Sequence, residues 1–241
     1  MLNLIPISDA NPTRSFPVVT IALIVANIVA FFQEPSLGLG GAAGRYFFAN
    51  APSPCQLGDT CPTNFPHRNL GSFLAAVLVS MFLHAGILHI AGNMLFLWVF
   101  GNNVEDFLGP VKYLVFYLLA GFAASFAHIL THINDAVPTV GASGAVAGVM
   151  GAYLVLFPRA RVNVLVPIFF IFTIIRMSAF AVLGLWFLYQ FLIGAQEATG
   201  ATEVAWTAHV GGFVFGAVAV FVLGGRPHPP ARAAWRPGWR L

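Results

Sequence analysis

Six long apolar stretches determine what this chain can fold into. Each is close to the roughly 20 residues that a helix needs to cross the hydrocarbon core of a bilayer. They lie at residues 18–34, 85–104, 112–132, 142–157, 177–194 and 204–224. Only 8% of the 241 residues are charged, so a water-facing exterior would be left mostly apolar. We therefore predict an all-α membrane protein, built as a bundle of six transmembrane helices.

Two further apolar segments are too short for a full crossing. Residues 72–83 (SFLAAVLVSMFL) fit a helix that lies partly in the outer leaflet. Residues 163–175 (NVLVPIFFIFTII) contain Pro167, and we expect them either to form a re-entrant segment or to lengthen the fifth span. Neither segment changes the predicted count of six.

The distribution of basic residues predicts the orientation of the bundle. With both termini inside, the inner side carries nine of the eleven arginines and lysines, and the outer side carries only Arg45 and Arg68. Basic residues concentrate on the cytoplasmic side of membrane proteins. We therefore predict a cytoplasmic N-terminal segment at 1–17, the six-helix domain at 18–224 and a cytoplasmic tail at 225–241.

The first apolar stretch is expected to remain in the mature protein. The residues before it are polar and interrupted by prolines, and no convincing small-residue cleavage site follows it. The basic residues are scattered between apolar blocks without interleaved aromatics, which argues against nucleic acid as a partner. We expect a multi-pass protein of the inner (plasma) membrane of a bacterial cell. The sequence carries no signal of its oligomeric state.

The predicted outer loop, residues 35–71, holds both cysteines of the chain. Cys55 and Cys61 are close in sequence, and a compartment outside the cytoplasm permits a disulfide between them. Two free thiols are the alternative. A metal site is a weaker alternative, because only His67 lies nearby as a further ligand.

Polar side chains inside the apolar stretches are few, and three stretches place them at similar depth. Ionisable and amide groups are costly in a bilayer and indicate function by default. His89 and Asn93 lie about one to two turns below the outer end of the second span, on one helix face. Ser143 opens the fourth span, and His209 lies about one turn below the outer end of the sixth. Because these three spans run in the same direction, their polar groups meet on the same side of the bilayer.

Small residues indicate how a serine and a histidine on two spans could meet. Gly144 and Gly148 form a GxxxG pattern in the fourth span, and Gly212 and Gly216 form another in the sixth. Such faces let helix backbones approach closely. We therefore predict close packing of the fourth and sixth spans, which a Ser–His hydrogen bond requires.

These residue types support acyl transfer. A serine is a weak nucleophile until a neighbouring base takes its proton, and His209 is the candidate base for Ser143. The Ser143 backbone N–H and the side chains of Asn93 and His89 could stabilise the oxyanion. No carboxylate is placed to orient His209, so the sequence indicates a dyad rather than a triad. HExxH is absent, and His84 and His89 are poorly phased for one helix face, so no metal site is predicted.

Each of these signals has a plainer explanation when taken alone. GxSG in an apolar helix is usually small-residue packing, and Ala145 excludes the GxSxG of a soluble nucleophile elbow. A single histidine or asparagine in a span often only packs or bonds to a neighbouring helix. Their joint occurrence at one depth is what favours catalysis.

Three motifs of the chain come in a characteristic order and spacing. They are HAGILHIAGNMLFLWVFGNNVEDFLG (84–109), GASGAVAG (141–148) and AHVGGFVFG (208–216). Together they resemble the rhomboid intramembrane serine proteases, in which HxxxxHxxxN lies at the second span, GxSG opens the fourth and a catalytic histidine begins the sixth. The resemblance extends over residues 15–225 and implies the six-helix rhomboid bundle.

The resemblance also implies roles for individual residues. Ser143 is similar in position to the family's nucleophile and His209 to its general base. Asn93 and His89 match contributors to the oxyanion hole, and Gly141 matches the close-packed neighbour of the serine. The implied reaction is hydrolysis of a peptide bond in or next to a transmembrane segment of a membrane-protein substrate, without cofactor or metal.

Other positions match or depart from the family pattern. Glu105 and Gly109 match the inner end of the second span, which they are expected to cap. Some members carry a tyrosine one turn after the nucleophile that packs on the catalytic imidazole, and here that position is Ala147. The resemblance therefore does not indicate what restrains His209. A Trp-Arg pair found in the first loop of some members is replaced here by Arg45 without a tryptophan.

Two other functions compete with proteolysis. A catalytically silent rhomboid-like protein would bind membrane helices, but such relatives typically lack the serine or the histidine. A small transporter or channel would use the same six spans, but intramembrane carboxylates for ion coupling are nearly absent.

Overall fold

The computed structural model of the chain is mostly helical, as the apolar stretches predict. It describes residues 5–35, 41–58, 60–63, 65, 67–168, 171–197 and 205–224. Along these residues the elements are β1 (Ile5–Asp9), α1 (Val18–Gln33), α2 (Gly41–Asn50), α3 (Cys55–Gly58), α4 (Leu70–Ser80), α5 (Ile87–Leu108), α6 (Pro110–Thr131), α7 (Ser143–Leu156), β2 (Arg161–Ile168), β3 (Ile171–Ser178), α8 (Ala179–Glu197) and α9 (Trp206–Leu223). The predicted tail at 225–241 lies outside the described residues, as do residues 36–40 of the long loop.

Each of the six predicted spans coincides with a helix: α1, α5, α6, α7, α8 and α9. Among the described residues, three of them, α5, α6 and α9, are long and apolar enough to cross a membrane. The apolar parts of α1, α7 and α8 are shorter. The segment at 72–83 is largely helical, as α4. The chain is thus an integral membrane bundle, and the count of six crossings stays a prediction.

The segment at 163–175 does not lengthen the fifth span, because α8 begins only at Ala179. It forms an antiparallel β-hairpin from β2 and β3, and β1 pairs antiparallel with β2 on its other side. Val162, Val164 and Val166 are buried in the core, with the period of two that a strand imposes. β-Branched residues favour strands. The prediction of a longer fifth span was wrong because two short apolar strands in succession look like one longer apolar run.

Helix α7 lies at the centre of the bundle. It packs against α5, α6, α8 and α9, and every residue from Gly144 to Tyr153 is buried. An apolar helix could also face lipid, but α7 is rich in glycine and alanine, and such small residues let helices approach closely on several sides. The central position of α7 follows from this composition.

Glycines set the contact between α7 and α9. A Cβ added to Gly212 would overlap the carbonyl oxygen of Gly144, and one added to Gly216 would overlap the carbonyl oxygen of Gly148. The two GxxxG patterns therefore face each other, backbone against backbone. The close approach predicted for the fourth and sixth spans is confirmed.

The last turn of α5 holds the first turn of α1. The Glu105 carboxylate accepts hydrogen bonds from the backbone N–H groups of Val19 and Thr20, at 2.9 and 2.8 Å, and from the Thr20 hydroxyl at 2.7 Å. The Asp106 carboxylate accepts from the Ser15 backbone N–H at 3.0 Å. A helix N-terminus carries unpaired N–H groups and a partial positive charge. Glu105 therefore caps α1, and the expectation that its side chain caps its own span was wrong. Gly109 does end α5 as expected, since it is the C-cap residue and its N–H donates to the Glu105 carbonyl at 2.7 Å.

The N-terminal strand is tied to the same end of the bundle. The Asp9 carboxylate accepts hydrogen bonds from the Tyr153 hydroxyl at 2.5 Å and from the Asn103 side-chain amide at 3.1 Å. Burial raises the pKa of Asp9 to about 6, although the Tyr153 hydrogen bond acts in the opposite direction. The segment predicted at 1–17 thus contributes a strand and a buried polar contact to the helical domain.

The loop that is predicted to lie outside is held by a disulfide and by an arginine. Cys55 and Cys61 form a disulfide, and the Cys55 backbone N–H donates to the Asp135 carbonyl at 2.9 Å. The Arg68 guanidinium donates to the Ala49 carbonyl oxygen at 2.6 Å. These contacts anchor the loop without the Trp-Arg pair of the family pattern.

Replacing Gly216 by alanine should destabilise the bundle, because the new methyl group would overlap the carbonyl of Gly148 on α7. We expect a cost of roughly 2 kcal/mol or more. Gly184→Ala in α8 is the matched control, since a Cβ there meets nothing within 4 Å. The midpoint of thermal unfolding in one detergent measures both. Equal midpoints for the two variants would contradict the role of the α7–α9 contact.

Candidate active site

Ser143 is the first residue of α7. The turn that precedes it contains Gly141, in a conformation that favours glycine. Gly141 has φ = +125°, a conformation that residues with a Cβ rarely adopt. Its N–H donates to the Ser80 carbonyl at 2.9 Å, which fixes the turn against the end of α4. The first intrahelical hydrogen bond is from the Val146 N–H to the Ala142 carbonyl. The N–H groups of the first turn therefore point away from the helix, beside the Ser143 side chain.

His209 lies in the first turn of α9, beside Ser143. Its Nε2 is 2.8 Å from the Ser143 Oγ, a hydrogen-bond distance. The two residues are 66 positions apart, and the glycine contact between α7 and α9 brings them together. The structure thus places the predicted serine and histidine in direct contact.

The other ring nitrogen of His209 is bonded to a residue that the sequence reasoning missed. Its Nδ1 is 2.8 Å from Oε1 of Gln190 on α8, whose side chain is buried. The Trp186 ring, one turn earlier on α8, lies 5.9 Å from the imidazole between ring centroids. These two residues supply the restraint that Ala147 does not. An amide inside the fifth apolar stretch was the signal that could have identified Gln190.

His89 packs directly on the turn before the serine. A Cβ added to Gly141 would lie 2.8 Å from Cε1 and Nε2 of the His89 ring. The His84 ring contacts the His89 ring edge-on, with 5.1 Å between centroids. His84 lies before the first residue of α5, so helical spacing does not apply to it and its ring can still contact that of His89. The His84 side chain is fully buried.

Asn93 follows His89 by one turn of α5 and lines the same cavity as Ser143. Its side chain is buried, and its amide nitrogen has no hydrogen-bond acceptor in the described part of the chain. A buried amide nitrogen without an acceptor is costly. Asn93 therefore has a donor available for a group that enters the cavity.

The cavity above these residues has a volume of about 1180 Å³. Its lining includes Ser143, His209, His89, Asn93 and Gln190. Other polar residues also line it: Ser80, Ser125, His128, Asp135, Thr139 and Tyr189. The rest of the lining is largely apolar. Pockets for drug-sized molecules have roughly 300–1,000 Å³, so several residues of a peptide would fit.

A second pair of histidines borders the cavity. His128 is buried on α6, lines the cavity, and its Nδ1 is 2.8 Å from the Thr207 hydroxyl of α9. The ring of His132 stacks on it, with 4.6 Å between centroids.

Sequence comparison identifies the family. The family model of the Rhomboid domain matches residues 73–226, more than half of the chain. The chain belongs to the rhomboid family. The resemblance carried by the three motifs is thereby confirmed.

Relatives of this rhomboid come from several kingdoms. RHOMBOID-like protein 1 of Arabidopsis thaliana is 29% identical over 232 residues, covering 88% of this chain and 54% of the relative. Rhomboid protease GluP of Bacillus subtilis is 41% identical over 78 residues, 32% of this chain and 15% of the relative. The human presenilin-associated rhomboid-like protein, mitochondrial, is 27% identical over 153 residues, 63% of this chain. The chain spans about a third of the length of that last relative, since the match covers 36% of it.

Replacing Gly141 by alanine should destabilise this rhomboid through two effects, a clash with His89 and a strained backbone. In the parent background we expect a cost of roughly 2–4 kcal/mol. In a His89→Ala background the clash is gone, and only about 1–2 kcal/mol of backbone strain should remain. Gly92→Ala, on the same helix as His89 and with nothing within 4 Å of the new Cβ, is the control. The midpoint of thermal unfolding is measured with and without Gly141→Ala in each background. An equal loss of stability in the parent and in His89→Ala would rule out the clash with His89.

Proposed function

We propose that this rhomboid is an intramembrane serine endopeptidase that hydrolyses peptide bonds in or next to transmembrane segments of membrane proteins. The observation that carries the proposal is the 2.8 Å contact between the Ser143 Oγ and the His209 Nε2. A nucleophile within hydrogen-bond reach of a base whose other nitrogen is oriented by a third group is the arrangement that activates serine.

In the proposed reaction, Ser143 attacks the carbonyl carbon of the scissile bond while His209 takes the hydroxyl proton at Nε2. The tetrahedral intermediate collapses, the C–N bond breaks, and His209 gives its proton to the leaving amine. Water from the cavity then attacks the acyl-enzyme, with His209 again acting as base, and releases the acid product and the free serine. Each proton taken up by His209 is passed on within the same half-reaction, so the sequence of steps requires no metal or cofactor.

The proposed oxyanion hole combines the Ser143 backbone N–H with the side chains of His89 and Asn93. The helix N-terminus at Ser143 favours negative charge at this place. The buried, unbonded amide nitrogen of Asn93 would gain an acceptor when the oxyanion forms. Each such donor, fixed in advance, is worth roughly 3–4 kcal/mol of transition-state stabilisation.

The proposed substrate is a membrane helix whose outer end is weakened by glycine or another helix-breaking residue. A peptide bond inside a helix is sheltered from attack, so the segment must unwind to enter the cavity. Small residues at the cleaved position are expected, because the glycine- and alanine-rich walls of α7 and α9 leave little room.

Reaction with a fluorophosphonate probe tests the proposed nucleophile and base. We expect labelling of the parent in detergent, and a loss of at least about 1,000-fold in labelling rate for Ser143→Ala and His209→Ala. The same variants should lose cleavage of a single-pass substrate in liposomes. Thermal midpoints close to that of the parent would show that both variants are folded.

Two outcomes would reject proteolysis at Ser143. Cleavage by Ser143→Ala as fast as by the parent would exclude this serine as the nucleophile. A folded parent that is neither labelled nor active, and that binds membrane helices as well as Ser143→Ala does, would favour the silent binder instead.

We also propose that both termini lie in the cytoplasm of a bacterial cell, with the serine near the outer face of its plasma membrane. The bias of basic residues and the Cys55–Cys61 disulfide in the loop on the Ser143 side support this orientation. A reporter enzyme that is active only outside the cytoplasm should be inactive when fused after residue 224 and active when inserted in the loop at 41–58. The reverse pattern would invert the topology.

A further inference from the structure

We infer that Gln190 is a positioning residue for the proposed hydrolysis, because it holds His209 in the tautomer that can accept a proton from Ser143. The inference rests on the proposed function, and the geometry of three side chains on three helices carries it. No motif of the sequence contains Gln190, which lies on α8 and not on the helices of the dyad.

The contact between Gln190 and His209 is direct and partly buried. Gln190 Oε1 lies 2.8 Å from His209 Nδ1, and only 2% of the Gln190 residue surface is exposed, whereas His209 is half-buried beside the cavity. Because the Gln190 side chain is withdrawn from bulk water, this hydrogen bond constrains the direction of the imidazole. His209 is thus held at both nitrogens, by Gln190 on one side and Ser143 on the other.

The orientation of the Gln190 amide decides which ring nitrogen carries the proton. Its Nε2 lies 3.4 Å from the backbone carbonyl oxygen of Trp186. A carbonyl oxygen can only accept, so the amide N–H₂ group faces Trp186 and Oε1 faces His209. An amide oxygen also only accepts, and therefore Nδ1 of His209 must be the protonated nitrogen. Nε2 is then left with its lone pair toward the Ser143 hydroxyl, as a general base requires.

The opposite orientation of the Gln190 side-chain amide would disable the Ser143–His209 pair. If the Gln190 N–H₂ faced Nδ1, that nitrogen would have to accept, and the ring proton would sit on Nε2. Nε2 would then donate to the Ser143 hydroxyl and could not take its proton. Among the described residues, the contact of the Gln190 amide nitrogen with the Trp186 carbonyl therefore favours the productive tautomer.

Trp186 restrains the same imidazole from its face. Its ring is inclined 46° to the imidazole plane at 5.9 Å between centroids, and it stacks on Phe213 of α9 at 6.0 Å. The tryptophan therefore supplies an aromatic neighbour for the imidazole from α8, since position 147 carries no aromatic ring. Because Trp186 and Gln190 are one helical turn apart, α8 supplies both restraints on His209.

A neutral amide at position 190 has one advantage and one disadvantage compared with a carboxylate. A buried carboxylate needs a partner for its charge, and no lysine or arginine lines the described part of the cavity. A carboxylate would, however, stabilise the imidazolium that forms during the reaction. The ionisable side chains that share the cavity with His209 are His89, His128, Asp135 and Tyr189.

The test compares two substitutions at Gln190 by the rate of fluorophosphonate labelling across pH 5–9. Gln190→Leu keeps most of the volume and removes the acceptor, and we expect labelling to slow by about 10- to 1,000-fold at pH 7. With a peptide substrate, kcat should fall by a similar factor while KM changes little. Gln190→Glu restores an acceptor and should recover most of the rate, with the acid limb of its pH profile moved up by about one unit. Phe180→Leu, on an exposed face of α8, is the control for the helix itself.

A purely structural role would give a different pattern. Labelling by Gln190→Leu within twofold of the parent, with an unchanged thermal midpoint, would overturn the inference. So would a Gln190→Glu variant that is as slow as Gln190→Leu and has the parent's pH profile. If Gln190→Leu does not fold, the pH profiles of Gln190→Glu and the parent are compared instead. An acid limb that does not move would then overturn the inference.

A spectroscopic measurement separates this inference from the proposed function. In protein labelled with ¹⁵N at its seven histidines, the His209 signals are assigned by their loss in His209→Ala. We expect a protonated Nδ1 and a bare Nε2 in the parent, and a mixture of tautomers or the reverse in Gln190→Leu. A parent that is not labelled but shows this tautomer would reject the proteolysis and retain the role of Gln190. A protonated Nε2 in the parent would reject the role of Gln190 whatever the activity.

Discussion

The backbone contact between α7 and α9 is the constraint on which the candidate site depends. Gly212 and Gly216 rest on carbonyl oxygens of α7, and this contact holds the start of α9 beside the start of α7. Hydrogen bonds tolerate a few tenths of an ångström in length, whereas one added methyl group would separate the helices by more than that. The 2.8 Å distance between Ser143 Oγ and His209 Nε2 therefore depends on how the two helices pack over several turns, and not on the two side chains alone.

The position of α8 follows from contacts at the opposite end of the bundle. β3 ends at Ser178 and α8 begins at Ala179, so the hairpin leads directly into the helix. The hairpin is paired with β1, and Asp9 of β1 is bonded to Tyr153 of α7. The N-terminal strand, which contributes only Ile5 to the cavity lining, thus helps to set where α8 presents Gln190.

The sequence predicts the elements whose signal is strong and local. The apolar stretches identify the helices, and the glycine patterns identify the α7–α9 contact, because both depend on residue size and polarity along one helix. The hairpin at 163–175 was missed because its two strands are apolar and adjacent, and their pairing with β1 is a contact with the far end of the chain. Gln190 was missed for a related reason. An amide in an apolar helix is ambiguous until the structure shows that it faces His209.

The groups around Ser143 are neutral hydrogen-bonding groups, and this limits how the site can work. Neither ring nitrogen of His209 is bonded to a carboxylate; both bond to uncharged oxygen atoms, of Ser143 and Gln190. Charge would therefore be created only during a reaction, as an oxyanion beside Ser143 and an imidazolium at His209. In surroundings of low polarity such a charge pair is stabilised by its own attraction and by donors already in place, such as the buried amide of Asn93. A site of this kind needs water close to Ser143 and few other polar neighbours that would screen the charges, and a cavity whose lining is mostly apolar but contains polar groups beside Ser143 fits both requirements.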